Sequence, residues 1–279
     1  MKKLCGVLIC FFLLTFISSA RIIEVADAGI TDKLRAVIAA KNAGAPAPGG
    51  DYDDITLWIG WENCGGTPCQ TDYTLGADDY SAGDSVATRN SATEVNSAAA
   101  MVGSFGADAT TGNDYYSLDV SDGDIISGTS GVIAMWFKSY RATWADYDQL
   151  FTISGNSGEY LRIEFYSGDT LRVNWYDTGQ LLWTDVTPPF NITVSNNFFV
   201  QLTYNATTNL IKLEVADADD VALTEWVNTT ATAFAPITPV TVNIGCFIAG
   251  SDMYIDNFMV SNDPTRDFFT LRNETTSPK

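Results

Sequence analysis

Hydrophobic and polar residues alternate with a period of two along much of the chain after residue 51. Residues 55–61, 131–140, 198–204 and 253–260 are short runs of β-branched, aromatic and aliphatic side chains, which are typical of strands. Further strands are predicted at residues 115–120, 149–153, 159–166, 170–176, 181–185, 210–215 and 240–248. Turn residues separate nearly all of these runs, and no helical periodicity intervenes. The pattern predicts an all-β sandwich or barrel.

Two stretches depart from this pattern. Residues 70–113 are rich in Gly, Ala, Ser, Thr and Asp, and we expect a loop there with one short strand at residues 99–102. Residues 21–42 carry apolar residues at helical spacing and predict one short helix, followed by a linker at 43–50 rich in Ala, Pro and Gly. This segment is expected to be an assembly element or a loosely ordered arm.

The hairpin at residues 159–176 has two different faces. Side chains alternate between the two faces of a strand, so one face carries aliphatic and aromatic residues and belongs to the core. The other face carries Arg162, Glu164, Tyr166, Arg172, Asn174 and Tyr176. We expect this polar face to be left uncovered by the rest of the molecule.

The first twenty residues resemble a secretory signal peptide. Lys2 and Lys3 precede an apolar run at residues 7–17, and small residues follow at 18–20. The apolar run is too short to span a bilayer, which takes roughly 20 residues. We expect cleavage near Ala20, a secreted or cell-surface protein, and no membrane span after cleavage. The expected division is signal peptide 1–20, helix and linker 21–50, sandwich 51–272 and disordered tail 273–279.

Cleavage would leave 13 basic and 34 acidic residues, a net charge of −21. So acidic a chain argues against nucleic acid and anionic membranes as partners. It favours neutral ligands or bound cations, although acidity also serves solubility alone. Cys64 and Cys69 are predicted to form a local disulfide, which suits an oxidising compartment. The chain contains no histidine, which excludes histidine-dependent triads and the usual zinc sites.

The order of these segments resembles the laminin G-like, concanavalin A-like superfamily. The segments that carry the resemblance are residues 114–119, 131–137, 198–215, 243–245 and 254–261. The resemblance covers about residues 51–270 and implies a jelly-roll sandwich of two antiparallel sheets. The stretch 70–113 matches poorly, and the segment 21–50 has no counterpart. The superfamily includes lectins, glycosidases, lyases, adhesion modules and structural domains, so the fold does not decide the function.

The residues do not point to an enzyme of this superfamily. Its glycosidases carry carboxylates two apart on one strand, because this spacing places them on one face. The corresponding stretch here has Arg162, Glu164 and Tyr166, a single carboxylate. Its lyases use a His–Tyr pair, and this chain has no His. No catalytic residue is therefore predicted.

Carbohydrate binding has more support from the residues. Sugars present hydroxyls to polar side chains and apolar C–H groups to aromatic rings. The residues expected to bind a neutral glycan are Arg162, Glu164, Arg172, Asn174, Tyr176, Trp144, Tyr147 and Trp183. Trp144 and Trp183 have an alternative role as caps of a sheet edge.

A structural calcium ion is a second expectation. Asp119, Asp122 and Asp124 form an oxygen-rich stretch that suits a hard cation. Related sandwiches often hold calcium between the first and last strands, which adds Asp256 to the expected ligands. An ordinary turn at Asp122 and Gly123 is the alternative.

Together these features predict a secreted, non-catalytic carbohydrate-binding or adhesion domain. A structural subunit that assembles with copies of itself is the first alternative. A polysaccharide hydrolase or lyase with a rearranged site is the second.

Overall fold

The computed structural model describes residues 52–64, 68–83, 86–110, 113–139, 148–166, 170–177, 181–186, 196–220, 222–229, 233–245, 253–275 and 277. These residues form two antiparallel sheets that pack face to face. The predicted fold class, an all-β sandwich of concanavalin A-like type, is confirmed. The predicted signal peptide, helix and linker lie outside the described residues. In the described residues, no helix has the length and apolar character needed to cross a membrane.

The first sheet has nine strands, in the order β15-β14-β13-β8-β17-β1-β3, with β6 also paired to β17 and β5 to β6. The strands are β1 (Ile55–Ile59), β3 (Tyr80–Ser81), β5 (Glu94–Asn96), β6 (Gly106–Ala109), β8 (Ser130–Ser139), β13 (Phe198–Asn205), β14 (Leu210–Asp217), β15 (Thr224–Thr229) and β17 (Met253–Ser261).

The second sheet has eight strands, in the order β12-β11-β10-β9-β16-β7-β4-β2. The strands are β2 (Tyr73–Thr74), β4 (Val86–Asn90), β7 (Tyr115–Asp119), β9 (Gln149–Gly155), β10 (Tyr160–Tyr166), β11 (Thr170–Tyr176), β12 (Leu181–Val186) and β16 (Pro239–Gly245).

The main hydrophobic core lies between the two sheets. Alternate residues of each strand point into it, as the period of two requires. Phe151 of the eight-stranded sheet meets Phe258 of the nine-stranded sheet with ring centroids 5.9 Å apart, and Phe137 meets Phe165 at 6.1 Å. At one end of the sandwich Phe234 closes the core against Trp175, at 4.5 Å. Burial of these aromatic side chains provides much of the driving force for folding.

A second, smaller core covers the outer face of the nine-stranded sheet. The chain from residue 263 to 275, here called the C-terminal segment, packs Phe268, Phe269 and Leu271 against this face. The aromatic residues beneath it include Trp58, Trp136 and Phe199. The nine-stranded sheet is therefore apolar on both faces over much of its width, whereas the eight-stranded sheet is apolar on its inner face.

A bulge in the central strand β17 fixes two neighbouring segments. The pairing register between β17 and β8 shifts between Asp256 and Met259, and Asn257 has a positive φ of 46°, which Asn tolerates better than most residues. The Asn257 side chain donates to the carbonyls of Arg272 and Glu274, at 3.1 and 2.8 Å. The bulge thus ties the C-terminal segment to the centre of the sheet.

The prediction for residues 70–113 is wrong in part. Strands β2 to β6 run through this stretch, and residues 99–102 form turns rather than a strand. The Asn96 side chain accepts hydrogen bonds from the amides of Ala98 and Ala99 and so ends β5. The amides of Met101 and Val102 donate to Asp256 instead of to a neighbouring strand. Strand β15 was also not predicted.

The predicted disulfide between Cys64 and Cys69 is present. Cys246 lies outside the described residues.

Candidate functional site

The outward side chains of β7, β9, β10, β11 and β16 form a polar surface on the eight-stranded sheet, here called the polar face. Its members are Ser117, Asp119, Thr152, Ser154, Tyr160, Arg162, Glu164, Arg172, Asn174, Tyr176, Thr241 and Asn243. Their neighbours along each strand point into the main core, so the polar positions share the opposite face.

Strand register arranges these side chains in rows that cross the sheet. One row runs Asn174, Arg162, Thr152, Asn243 and Ser117, each paired with the next across neighbouring strands. Directly paired residues of an antiparallel sheet have Cβ atoms about 4.5–5.5 Å apart. Arg162 and Ser117 are half-buried, whereas Asn174, Thr152 and Asn243 are buried, so the row offers separate accessible points and not a continuous accessible strip.

A second row runs alongside the first through Tyr176, Tyr160, Ser154, Thr241 and Asp119. The rings of Tyr160 and Tyr176 stack on one another, with centroids 5.3 Å apart and planes 20° from parallel. Both are half-buried. They supply ring edges and two phenolic hydroxyls beside the polar row.

Glu164 is the charged centre of the polar face. Its carboxylate accepts a hydrogen bond from the Asn174 amide and forms an ion pair with Arg162, with Nε and Oε2 2.9 Å apart. The Arg162 guanidinium also lies 4.7 Å from the Tyr160 ring centroid, within the range of a cation–π contact. Glu164 and Tyr160 together hold Arg162 in one position.

The expectation of an uncovered face is wrong at this centre. Glu164 is fully buried and Asn174 is 2% exposed, whereas Arg162, Arg172 and Tyr176 are half-buried. A buried carboxylate must be paired and hydrogen-bonded, and Glu164 obtains this from Arg162 and Asn174. Thr152 and Asn243 are buried as well. These four buried residues support the face from within, and the arginines and tyrosines are among its accessible members.

Gln149 is a polar residue that the sequence analysis did not single out. A register shift between β9 and β10 at Ile163 and Glu164 pairs Gln149 with Glu164. Gln149 is fully buried, its Oε1 accepts from the Thr152 hydroxyl at 2.6 Å, and its Nε2 has no hydrogen-bond partner among the described residues. An unsatisfied buried donor costs about 1–3 kcal/mol. Because Gln149 is fully buried, it belongs with Thr152 to the support beneath the polar face and is not a ligand contact.

Three of the predicted aromatic contacts remain predictions. Trp144 and Tyr147 lie outside the described residues. The backbone of Trp183 in β12 pairs with that of Asn174 in β11. The Trp183 side chain lies outside the described part of the chain.

The four predicted calcium ligands do not come together. Asp119 pairs with Thr241 in the eight-stranded sheet, whereas Asp256 lies in β17 of the other sheet. Asp256 is fully buried, and its oxygens accept hydrogen bonds from the amides of Met101, Val102 and Asn257. Its role as a calcium ligand stays a prediction, and in this structure its oxygens bind backbone amides.

The remaining acidic stretch is exposed. Asp119 accepts a hydrogen bond from the Ser121 amide at 2.9 Å, and Asp122 accepts one from the Asp124 amide at 3.0 Å. The hydrogen bonds from Ser121 hold the pKa of Asp119 below its usual value. Within the described ranges, no three His, Cys, Asp or Glu side chains cluster as a metal site would require. Calcium binding at Asp119, Asp122 and Asp124 stays a prediction.

Sequence reasoning missed several residues of the site for different reasons. Tyr160 has the same alternation as Arg162 and Glu164, so periodicity alone was enough to place it on the polar face. Asn243 lies on a strand distant in sequence from the hairpin, whereas Thr152 and Gln149 lie on β9, the strand directly before it. Their place beside Arg162 depends on strand order and register, which the alternation does not encode.

Comparisons with known proteins agree with this architecture. No protein-family model matches the chain, and no curated protein matches it. Among solved structures, the chain is similar to domain 4 of the extracellular GH43 arabinanase AbnA from Geobacillus stearothermophilus, in complex with arabinotriose. The identity is 9%, the TM-score is 0.50, and the match covers 81% of this chain and all of that domain.

It is also similar to a Trypanosoma rangeli sialidase, at 10% identity and a TM-score of 0.50, over 89% of this chain and 39% of the sialidase. A third similar structure is the CBM40 domain of the Ruminococcus gnavus IT-sialidase bound to α2,3-sialyllactose. It has 14% identity over 60% of this chain and 94% of that domain, with a TM-score of 0.44. The first two likenesses show the β-sandwich fold alone.

Proposed function

We propose that this chain is a secreted, non-catalytic carbohydrate-binding protein of laminin G-like type, and that its polar face binds a glycan. The observation that carries the proposal is the pair of polar rows, with the half-buried Arg162 held between Glu164 and Tyr160. The proposed ligand contacts are Arg162, Arg172, Tyr160 and Tyr176, and the tryptophan and tyrosine predicted in residues 144–147 remain part of the proposal with Trp183.

The chemistry of these rows suits a sugar. Hydroxyls of a glycan both donate and accept hydrogen bonds, and the accessible members of the rows offer guanidinium, hydroxyl and phenol groups for both purposes. The Tyr160 and Tyr176 rings offer apolar edges for the C–H groups of a pyranose or furanose. The domain of the arabinanase that shares this fold is described in complex with arabinotriose, which supports a saccharide as the class of ligand.

The polar groups are also fixed before a ligand arrives. Arg162 is restrained by an ion pair and a ring contact, and the two tyrosines restrain each other by stacking. Groups that are already ordered lose less side-chain entropy on binding, which is about 0.5–1.5 kcal/mol for each immobilised side chain. Rigidity of this kind favours recognition of a defined sugar over loose electrostatic attraction.

A neutral glycan is the favoured ligand class. The chain has 34 acidic and 15 basic residues, so its field repels polyanions at long range. On the polar face the charge of Arg162 is balanced by Glu164. An uncharged ligand needs neither long-range attraction nor an unpaired cation.

The proposal of a non-catalytic role rests on Glu164. Glycoside hydrolysis uses two carboxyl groups about 5–10 Å apart on either side of the scissile bond. Glu164 is fully buried and already bonded to Arg162 and Asn174. It is therefore poorly placed to protonate or attack a substrate, and it acts as support for Arg162.

A glycan array tests the proposal. The purified secreted chain is applied with calcium and again with a chelator, which also tests the ion predicted at Asp119, Asp122 and Asp124. We expect binding to at least one neutral plant, microbial or animal glycan. Absence of binding to every glycan, under both conditions, contradicts the proposal.

Two substitutions then locate the site. Tyr160→Ala is expected to weaken binding about tenfold, because loss of one aromatic contact costs about 1–1.5 kcal/mol. Tyr160→Phe keeps the ring and is the matched control, expected to bind within about threefold of the unchanged chain. Equal affinity of all three proteins, measured by calorimetry, would place the glycan elsewhere.

Export and the domain boundaries belong to the same proposal. Cleavage near Ala20 removes the segment with Lys2 and Lys3 and leaves a chain that starts at Arg21. Intact-mass measurement of the protein recovered from the medium checks this directly. A secreted protein that keeps residues 1–20, or one that stays with the cells, contradicts this part.

A further inference from the structure

A groove of about 650 Å³ lies on the outer face of the nine-stranded sheet, on the opposite side of the sandwich from the polar face. Its floor is formed by β13 and β14, and its wall by the C-terminal segment. The residues that matter for its chemistry are Gln201, Thr203, Lys212, Glu214, Thr265 and Thr270. Its volume lies within the range of about 300–1,000 Å³ that small-molecule sites occupy.

The groove exists because the C-terminal segment covers only part of this face. Phe269 of the segment packs on Phe199, with centroids 6.1 Å apart, and closes the apolar part of the sheet. Beyond Phe199, the outward residues of β13 change to Gln201 and Thr203, and their partners on β14 are Glu214 and Lys212. The polar floor begins where the apolar contact ends.

The polar side chains of the groove are held in place by their neighbours. Gln201 is 3% exposed, its Oε1 accepts from the Phe268 amide at 2.8 Å, and its Nε2 lies 3.4 Å from Glu214 Oε2. Thr265 and Thr270 donate their hydroxyl protons to Asp263 Oδ1 and to the Asp267 carbonyl. The hydroxyl oxygens remain able to accept hydrogen bonds from a ligand.

Both cationic side chains of the groove are paired with carboxylates. Lys212 Nζ lies 2.6 Å from Glu214 Oε1, and Arg266 is paired with Asp54 outside the lining. The lining thus has two cationic and two anionic side chains, Lys212, Arg266, Glu214 and Asp267. A charged ligand would have to break these pairs, whereas an uncharged ligand with many hydroxyls can hydrogen-bond to them as they stand.

From these observations we infer that the groove is a second ligand site, which takes a short neutral oligosaccharide. The inference goes beyond the proposed function, because it requires no binding at the polar face. Two sites on opposite faces of one chain would also let a single copy bridge two polysaccharide chains.

Titration calorimetry with neutral trisaccharides tests the inference. The panel is arabinotriose, xylotriose, cellotriose and mannotriose, applied to the full secreted chain. Thr270→Trp places an indole in the groove from an exposed position and is expected to weaken binding of at least one of these sugars about tenfold or more. Thr71→Trp, at an exposed site outside the groove, is the matched control and is expected to change nothing.

Lys212→Gln is a second variant, for use if Thr270→Trp does not fold. It is expected to weaken binding of the same sugar about threefold or more. Tyr160→Ala distinguishes the two sites. If the trisaccharide binds in the groove, its affinity is expected to be the same in this variant as in the unchanged chain. Trisaccharide binding that is lost in Tyr160→Ala and kept in both groove variants overturns the inference and supports the polar face. Trisaccharide binding that is lost in the groove variants and kept in Tyr160→Ala supports the inference, whether or not the polar face binds a glycan. A chain that binds no trisaccharide of the panel overturns it, while the wider array still tests the polar face.

Discussion

Asp256 shows how a residue that resembles a metal ligand in sequence serves the backbone in the structure. Burial raises the pKa of this carboxyl well above its usual value, and hydrogen bonds from the amides of Val102, Met101 and Asn257 offset part of the effect. An acid whose pKa is higher in the folded chain than in the unfolded chain takes up protons on folding. Its contribution to stability is present at low pH and is lost as the pH rises through the folded value.

The first prediction concerns this pH dependence. Asp256→Asn removes the titration and keeps an oxygen that can accept from Met101 and Val102. The free energy of unfolding of the variant, relative to the unchanged chain, is therefore expected to increase as the pH rises from about 4 towards 7. Denaturant unfolding at several pH values measures this difference. A difference that stays constant or decreases with pH contradicts the assignment.

The second prediction concerns Glu164, which supports the polar face from within. Glu164→Ala leaves Arg162 and Asn174 without their shared partner and is expected to cost about 2–4 kcal/mol of unfolding free energy. Glu164→Gln keeps an acceptor for Asn174 and is expected to cost about half as much. Both values come from denaturant unfolding. If Glu164→Gln is as damaging as Glu164→Ala, the loss arises from the charge alone and not from the network.

At the scale of elements, the alternation of side chains predicted most of the longer strands. Strands β8, β13, β14 and β17 each have a buried row facing the main core, which is the pattern that periodicity detects. The short strands β2 to β6 were missed because they have five residues or fewer and little hydrophobic content. They are strands because neighbouring strands supply their hydrogen-bond partners.

The third prediction concerns the bulge of β17. Asn257→Ala removes two hydrogen bonds to the C-terminal segment and places a Cβ residue at positive φ without the local side-chain bond that Asn can make. We expect a loss of about 2–3 kcal/mol. Asn257→Gly is the matched control, since it relieves the backbone and is expected to cost about 1 kcal/mol less than Ala. Equal losses in both variants would show that backbone conformation plays no part.

At the scale of the whole molecule, the outer faces of the two sheets differ in their chemistry. The C-terminal segment covers the nine-stranded sheet with aromatic residues, and Asn257 and the Asp54–Arg266 ion pair hold it there. The eight-stranded sheet carries polar rows on its outer face instead. This asymmetry makes the polar face the first place to look for a ligand.

The fourth prediction concerns the disulfide, which joins two residues five apart. Closing so short a loop stabilises a protein by about 2 kcal/mol in the chain-entropy description. The double variant Cys64→Ser with Cys69→Ser is expected to lose about that much unfolding free energy, and the unchanged chain measured under reducing conditions is expected to match it. A loss under about 0.5 kcal/mol in both experiments contradicts a stabilising role.

The sequence by itself determined the fold class, the polar and apolar faces of the β10–β11 hairpin and the Cys64–Cys69 pair, because these depend on periodicity and on residues close in the chain. Tertiary structure decided which further strands lie beside that hairpin, and so brought Asn243 of β16 next to Thr152 of β9 on the polar face. It also decided that Asp256 binds backbone amides and that Glu164 is buried. These outcomes depend on strand order, register and a bulge, which arise from contacts between residues far apart in sequence and leave no local pattern.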